Sequence, residues 1–142
     1  MKLFLNKNIE VRNSEISGRG VFAKTDIKSG EILDECHHIL LEEGFGEQDK
    51  VLKEYLFSWP KGSWGGKGHS SSVVLGLGSI FNHSDNNNAD WITDENRNIY
   101  SFYATKDIRK GEEIFTNYGK HYKDFVGTNT IEQLKNKNEQ EQ

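Results

Sequence analysis

The apolar residues of this 142-residue chain come in runs too short and too closely spaced for long helices. Ile9 to Arg12, Val21 to Ala23, Val73 to Leu77, Trp91 to Thr93, Ile99 to Ala104 and Glu113 to Phe115 each read as a short strand between glycine, asparagine or charged turns. Glu31 to Leu41, with Ile32, Leu33, Ile39 and Leu40, reads as a longer one. The exception is Glu47 to Ser58, where Val51, Leu52, Tyr55 and Leu56 fall on one face of a helix and place Tyr55 on its buried side. This pattern predicts a β-rich fold with one helix and argues against a βαβ array. The only proline, Pro60, opens a Gly- and Ser-rich stretch, Lys61 to Ser72, that reads as a long loop able to serve as a lid. A weak helical segment, Ile131 to Lys137, precedes a polar, frayed end.

The length fits one domain with its own core. With 22 acidic against 18 basic residues and a net charge of -4, the chain is a poor match for a nucleic-acid backbone and a better one for a cationic partner. A single cysteine, Cys36, allows neither an internal disulfide nor a four-cysteine zinc site, so the expectation is a buried thiol in a reduced, intracellular protein, with cytoplasm and nucleus both open. Met1 to Glu10 is too short and polar for a signal peptide, and no apolar run approaches the roughly 18 residues needed to span a bilayer.

Chemistry gathers in a few places. Leu77 to Ser84 ends in an amide, an imidazole and a hydroxyl at Asn82, His83 and Ser84. Three consecutive polar side chains cannot share one strand face, so they mark a turn that presents its backbone and side chains to something. Ser17-Gly18-Arg19-Gly20 is a tight turn whose glycines let another group come close to the backbone. His37 and His38 are adjacent in a strand, point to opposite faces and cannot chelate one metal together. His69, His83, Asp85, Asp90 and His121 lack the short, fixed spacing of a zinc or iron site, so no metal is expected. An internal echo links Ala23 to Glu31 with Ala104 to Glu112: both share Ala, Asp, Ile, Gly and Glu in register, each as strand, turn and strand. Two copies do not make a solenoid.

Taken in order, Gly18-Arg19-Gly20-Val21-Phe22-Ala23, Phe81-Asn82-His83-Ser84 and Gly111-Glu112-Glu113-Ile114-Phe115-Thr116-Asn117-Tyr118-Gly119 resemble the SET-domain protein lysine methyltransferases over about Glu10 to Tyr122. The spacing is similar to that of the small stand-alone viral type, which carries a comparable Glu-x-Tyr-Leu-Phe helix before its Asn-His-Ser. The resemblance implies a single SET domain over residues 1–142, with a core at about 8–126 and a polar tail at about 127–142. The implied fold is mainly β with short helices, a β-clip of small sheets whose C-terminal pseudoknot threads the Tyr118 segment beside the Asn82 segment.

The resemblance also implies S-adenosylmethionine as cofactor. Gly18, Arg19 and Gly20 would line it through main-chain groups, Asn82 and His83 through side chain and backbone, and Tyr55 through its ring. Tyr118 would be the catalytic tyrosine, with Tyr55, Trp91, Thr116 and Tyr122 lining the lysine channel. The substrate would be a lysine in a basic protein segment, a histone for example; the alternative is a non-catalytic SET-like module that binds a peptide or partner. Ser79 stands where many members have Arg, and Asn87 where many have Pro. No cysteine-rich segment follows Tyr118, so Phe125, Tyr122 or the second subunit of a homodimer would have to cover the cofactor. Thr116 is smaller than the Phe or Tyr that limits product methylation in several relatives, but Trp91 competes for the same space.

Such a site needs no dedicated base. Deprotonating a lysine of pKa near 10.4 at pH 7 costs about 4.6 kcal/mol. A sulfonium about 4 Å away, at an effective dielectric near 20, repels the ammonium by about 4 kcal/mol. A dry aromatic channel that holds the amine in line supplies most of what remains.

Overall fold

The short apolar runs become ten strands among the residues that the computed structural model describes, 2–41, 49–60 and 69–117. They form three small sheets. In the first, β1 (Ile9–Asn13), β2 (Arg19–Ala23), β10 (Glu113–Thr116) and β7 (Asn82–His83) lie side by side in that order. The second orders β3 (Ile32–Cys36), β9 (Ile99–Ala104) and β8 (Ala89–Asp94), and the third β4 (His38–Leu40), β6 (His69–Val74) and β5 (Leu56–Pro60). All pairings are antiparallel except that of β10 with β7, which is parallel and sets Phe115 against Asn82 and Thr116 against His83.

The core lies where the sheets meet. β9 is the middle strand of its sheet and sends Tyr100 and Phe102 inward; Phe57 of β5 meets both, and Trp91 of β8, edge-on at ring separations of 5.4–6.0 Å, and Trp91 lies tilted against Tyr100 at 5.5 Å. Offset and edge-on aromatic pairs at this range add about 0.5–1.5 kcal/mol each beyond the area they bury. Phe81 stacks on Phe102 at 5.1 Å and so anchors the chain one residue before Asn82. Next to Trp91, Asp90 is only 4% exposed, and its Oδ1 has no hydrogen-bond partner among the described residues. Burial pushes this carboxyl up to about 7, against a weaker pull from the Trp91 amide.

The helix expected over Glu47 to Ser58 is not there. Of its described residues, only Leu52–Tyr55 make a short 3-10 turn, begun by the Asp49 carboxylate accepting the Val51 and Leu52 amides at 2.9 and 2.8 Å. Leu56 to Trp59 then enter β5 and are all buried, whereas Val51 and Tyr55 are exposed. Aromatic residues fit a buried strand at least as well as a helix face, and a helix of this length gains little by itself. Glu31 to Leu41 is two strands in different sheets, broken at His37. His38 packs flat on Trp59 at 4.2 Å, its Nε2 proton donated to Asn98 Oδ1 and its Nδ1 accepting from the Ser72 hydroxyl, both at 2.8 Å. The expected Lys61 to Ser72 loop is cut short because Ser70 to Ser72 belong to β6; its residues 61–68 lie outside the described residues, as does Ile131 to Lys137. The strand expected at Val73 to Leu77 ends at Val74.

The internal echo has a structural meaning, since the two copies pair with each other. Ile27 and Ile108 exchange both main-chain hydrogen bonds at 2.7 Å. Asp26 accepts the Lys110 amide and Asp107 accepts the Ser29 amide, each at 2.9 Å. Gly30 donates to Ala104 and Gly111 to Ala23, and the two glycines have φ of 91° and 89°, a region closed to most side chains. Each partner thus does for the other what it receives. Both isoleucines are 1% exposed.

Candidate functional site

Three segments that are distant in sequence meet around one cleft of about 360 Å³. Ile16 to Arg19 form one side, Glu54 and Tyr55 a second, and Ser79 to His83 the floor. Gly18, Arg19, Tyr55, Asn82 and His83, singled out by the sequence, all line it. Gly20 is buried just behind them. The 46% exposure of Tyr55 corrects the expectation that it is a buried helix residue: it offers its ring to the cleft.

The floor is positioned from the core. The Asp34 carboxylate accepts the Leu77 amide at 2.9 Å and the Cys36 thiol at 3.0 Å. Burial pushes Asp34 above the usual carboxylate range, against the pull of those two donors, and burial also pushes the Cys36 thiol up, so the buried cysteine is inert. Ser79 donates to the Val74 carbonyl at 2.6 Å, and Phe81 inserts its ring into the aromatic core. Asn82 and His83 then run beside β10, and the turn after them is stitched to the same strand. Ser84 N donates to Thr116 O, Asn88 Nδ2 to Glu113 O and Phe115 N to Asn88 Oδ1, at 2.8–3.1 Å. Ser84 Oγ accepts the Asn86 amide at 3.1 Å, a turn role.

The Asn82 amide group holds the loop over the floor. Its Nδ2 lies 3.1 Å from Ser17 O, 3.2 Å from Arg19 O and 2.7 Å from Glu113 Oε2. Glu113 Oε1 in turn accepts the Ser14 hydroxyl at 2.6 Å. A β-carbon on Gly20 would collide with the Glu113 carboxylate and sit 3.0 Å from Asn82 Nδ2, so a side chain there would push both groups from their present places. His83 Nε2 lies 3.2 Å from Asp85 Oδ1, a carboxylate that is almost wholly in solvent.

Trp91 and Thr116 are fully buried, and Trp91 Nε1 and Thr116 Oγ1 have no hydrogen-bond partner among the described residues. Tyr118 and Tyr122 lie outside the described residues, as does Phe125; β10 ends at Thr116, beside His83, and leads toward Tyr118. Sequence reasoning missed Ser14, Glu54, Asn88 and Glu113 as parts of this site. Glu113 left no local signal, because its partners Ser14 and Asn82 are 99 and 31 residues away in the sequence.

The family profile described as the SET domain matches residues 18–119. The chain belongs to the SET-domain family. It is 34% identical over 116 residues to a Schizosaccharomyces pombe histone-lysine N-methyltransferase specific for H3 lysine-37, covering 80% of this chain and 74% of that protein. It is 31% identical over 142 residues to the histone-lysine N-methyltransferase EZH2 of Chaetomium thermophilum, covering 89% of this chain but only 9% of that protein. Among solved structures, a candidate histone methyltransferase of Plasmodium falciparum superposes with a TM-score of 0.64 at 29% identity, over 82% of this chain and 96% of that one. A Chaetomium thermophilum Polycomb Repressive Complex 2, in a humanized mutant form bound to an inhibitor, superposes with a TM-score of 0.63 at 27% identity, over 78% of this chain and 15% of that one. The small sheets and, among the described residues, the near absence of helix fit the SET fold, and the chain is homologous to histone-lysine methyltransferases.

Proposed function

We propose that this SET domain transfers methyl groups from S-adenosylmethionine to the side-chain amine of lysine in a basic protein segment, a histone among the candidates. The observation that carries this reading is the meeting of Gly18, Arg19, Tyr55, Asn82 and His83 on one cleft. Its volume of about 360 Å³ falls within the range of small-molecule sites, roughly 300–1,000 Å³. Its lining suits this ligand: an aromatic face at Tyr55, main-chain polar groups at Gly18 and Arg19, a carboxylate at Glu54 and hydrogen-bonding groups at Asn82 and His83.

S-adenosylmethionine supplies the methyl group and a positive charge. Gly18 and Arg19 would meet it through their backbone and Tyr55 through its ring. Asn82 keeps the loop from opening, and His83 closes the floor. Tyr118 would place its hydroxyl at the transferring methyl, and Tyr55, Trp91, Thr116 and Tyr122 would line the lysine channel. The net charge of -4 would draw a basic substrate toward the enzyme. We further take it to resemble the small viral type of SET domain and to work inside the cell, with a homodimer partner covering the cofactor.

The test is incubation of the purified protein with isotopically labelled S-adenosylmethionine and a mixture of histones and other basic proteins. Mass spectrometry would then locate any labelled lysine. The proposal expects label on specific lysines with the wild type and almost none with Tyr118→Phe. No label, together with undiminished capture of a basic peptide, would make the domain a binding module.

A further inference from the structure

Glu113 is absent from the cleft lining, yet it holds two of the segments that shape the cleft, the loop that leads into β2 and the Asn82 strand. It lies in β10, between β2 and β7, and its side chain turns under Gly20. One carboxylate oxygen accepts the Ser14 hydroxyl at 2.6 Å and the other the Asn82 amide at 2.7 Å; its main-chain oxygen accepts Asn88 Nδ2 at 3.0 Å. Ser14 then organises the loop above: its Oγ accepts the Ile16 and Ser17 amides at 3.0 and 3.4 Å, and its N donates to Gly18 O at 2.8 Å. Asn82 reaches the same loop from below through Ser17 O and Arg19 O. The two carboxylate oxygens therefore hold Ser14 directly and Ser17 and Arg19 through Asn82. Removing the acceptor leaves both donors without it.

We infer that Glu113 is a positioning residue for the cofactor cleft, holding the Ser14–Gly20 arch and the Asn82 amide in the geometry that binds the ligand. This rests on the S-adenosylmethionine reading of the cleft. Glu113 acts through Ser14 and Asn82 and meets the ligand only through them, so its loss weakens cofactor binding far more than it slows turnover at saturating cofactor. The Glu113→Gln side chain keeps the length and an acceptor for Asn82, and so retains most of the arch.

The experiment compares wild type, Glu113→Ala, Glu113→Gln and Ser14→Ala by amide hydrogen exchange without ligand, by calorimetric titration with S-adenosylmethionine and by steady-state methylation. Glu113→Ala should speed exchange at Ile16 to Gly20 and raise the cofactor Kd and KM about tenfold or more, with kcat within about threefold and exchange in β8 and β9 unchanged. Glu113→Gln should recover most of both effects, and Ser14→Ala should give a smaller loss that does not add to that of Glu113→Ala. Unaltered exchange at Ile16 to Gly20 in Glu113→Ala would overturn the inference, and so would a fall in kcat with KM unchanged. If Glu113→Ala does not fold, Ser14→Ala and Glu113→Gln decide: wild-type exchange and affinity in Ser14→Ala, or no rescue by Gln, would overturn it. Absence of S-adenosylmethionine binding by the wild type would refute the cofactor reading alone, because exchange in the ligand-free protein still judges the hold of Glu113 on the arch.

Discussion

Two pairs of turns in this protein are built on opposite plans. The pair around Ile27 and Ile108 is reciprocal: each turn gives the other a main-chain bridge, an aspartate acceptor and a glycine donor, and buries one isoleucine. The pair around Gly18 and Asn82 is one-sided. There, side chains from Ser14, Asn82, Asn88 and Glu113 hold two loops that leave a cleft open between them. Main-chain reciprocity closes the first region on itself. Holding by side chains leaves the second open on its cleft side, where Gly18 and Arg19 line the cavity. The carboxylates differ in the same way: Asp26 and Asp107 are exposed and bonded across the first pair, while Asp90, on the strand that leaves the second, is buried, with no partner for its Oδ1 among the described residues.

The comparison breaks most easily at the isoleucines. Ile27→Ala and Ile108→Ala should each cost about 2–5 kcal/mol by denaturant unfolding, in nearly equal amounts, with the cofactor affinity of the folded protein unchanged within about twofold. Unequal costs would deny the reciprocity, and a lost affinity would deny the separation of the two regions.

A smaller effect, of opposite sign, is expected at Asp90. Its folded pKa, about 7, lies above the unfolded value near 3.9, so between those values the folded protein keeps a proton that the unfolded chain has released. Its contribution is therefore most favourable below about pH 4, and it falls as pH rises to about 7. Asp90→Asn should stabilise the protein at pH 8 by about 2–4 kcal/mol and by much less at pH 5, read as the difference in unfolding free energy at the two pH values. Equal effects at both would mean that the charged carboxylate has a partner.

The smallest effects sharpen the picture. Asp26→Ala and Asp107→Ala should each cost about 0.5–1.5 kcal/mol, matched within error, because each removes one acceptor from an exposed turn. A marked asymmetry would show that one copy dominates.

The legibility of the two regions in the sequence follows the same division. The reciprocal pair is visible as a repeat, because equal backbone demands select equal residues, and β9 is readable because its apolar run is bounded by clear turns. The cleft-lining residues could be named from the glycine turn and the Asn-His motif. What holds them could not: the contacts of Glu113 with Ser14 and Asn82 join residues far apart in sequence and leave no local period. The expected helix fails for a related reason. An apolar stripe at Val51, Leu52, Tyr55 and Leu56 satisfies helical spacing, but the burial of Leu56 to Trp59 against β6 makes a strand the better use of the same residues.

The central claim is that the side-chain-held pair of turns binds the cofactor and the reciprocal pair does not. Titrating S-adenosylmethionine into the isotopically labelled protein and following amide NMR signals tests this directly. The account predicts shifts concentrated at Gly18 to Gly20, Tyr55 and Asn82 to Ser84, with Ile27, Gly30, Ile108 and Gly111 unmoved. Shifts centred on the reciprocal pair, or none at saturating ligand, would contradict it.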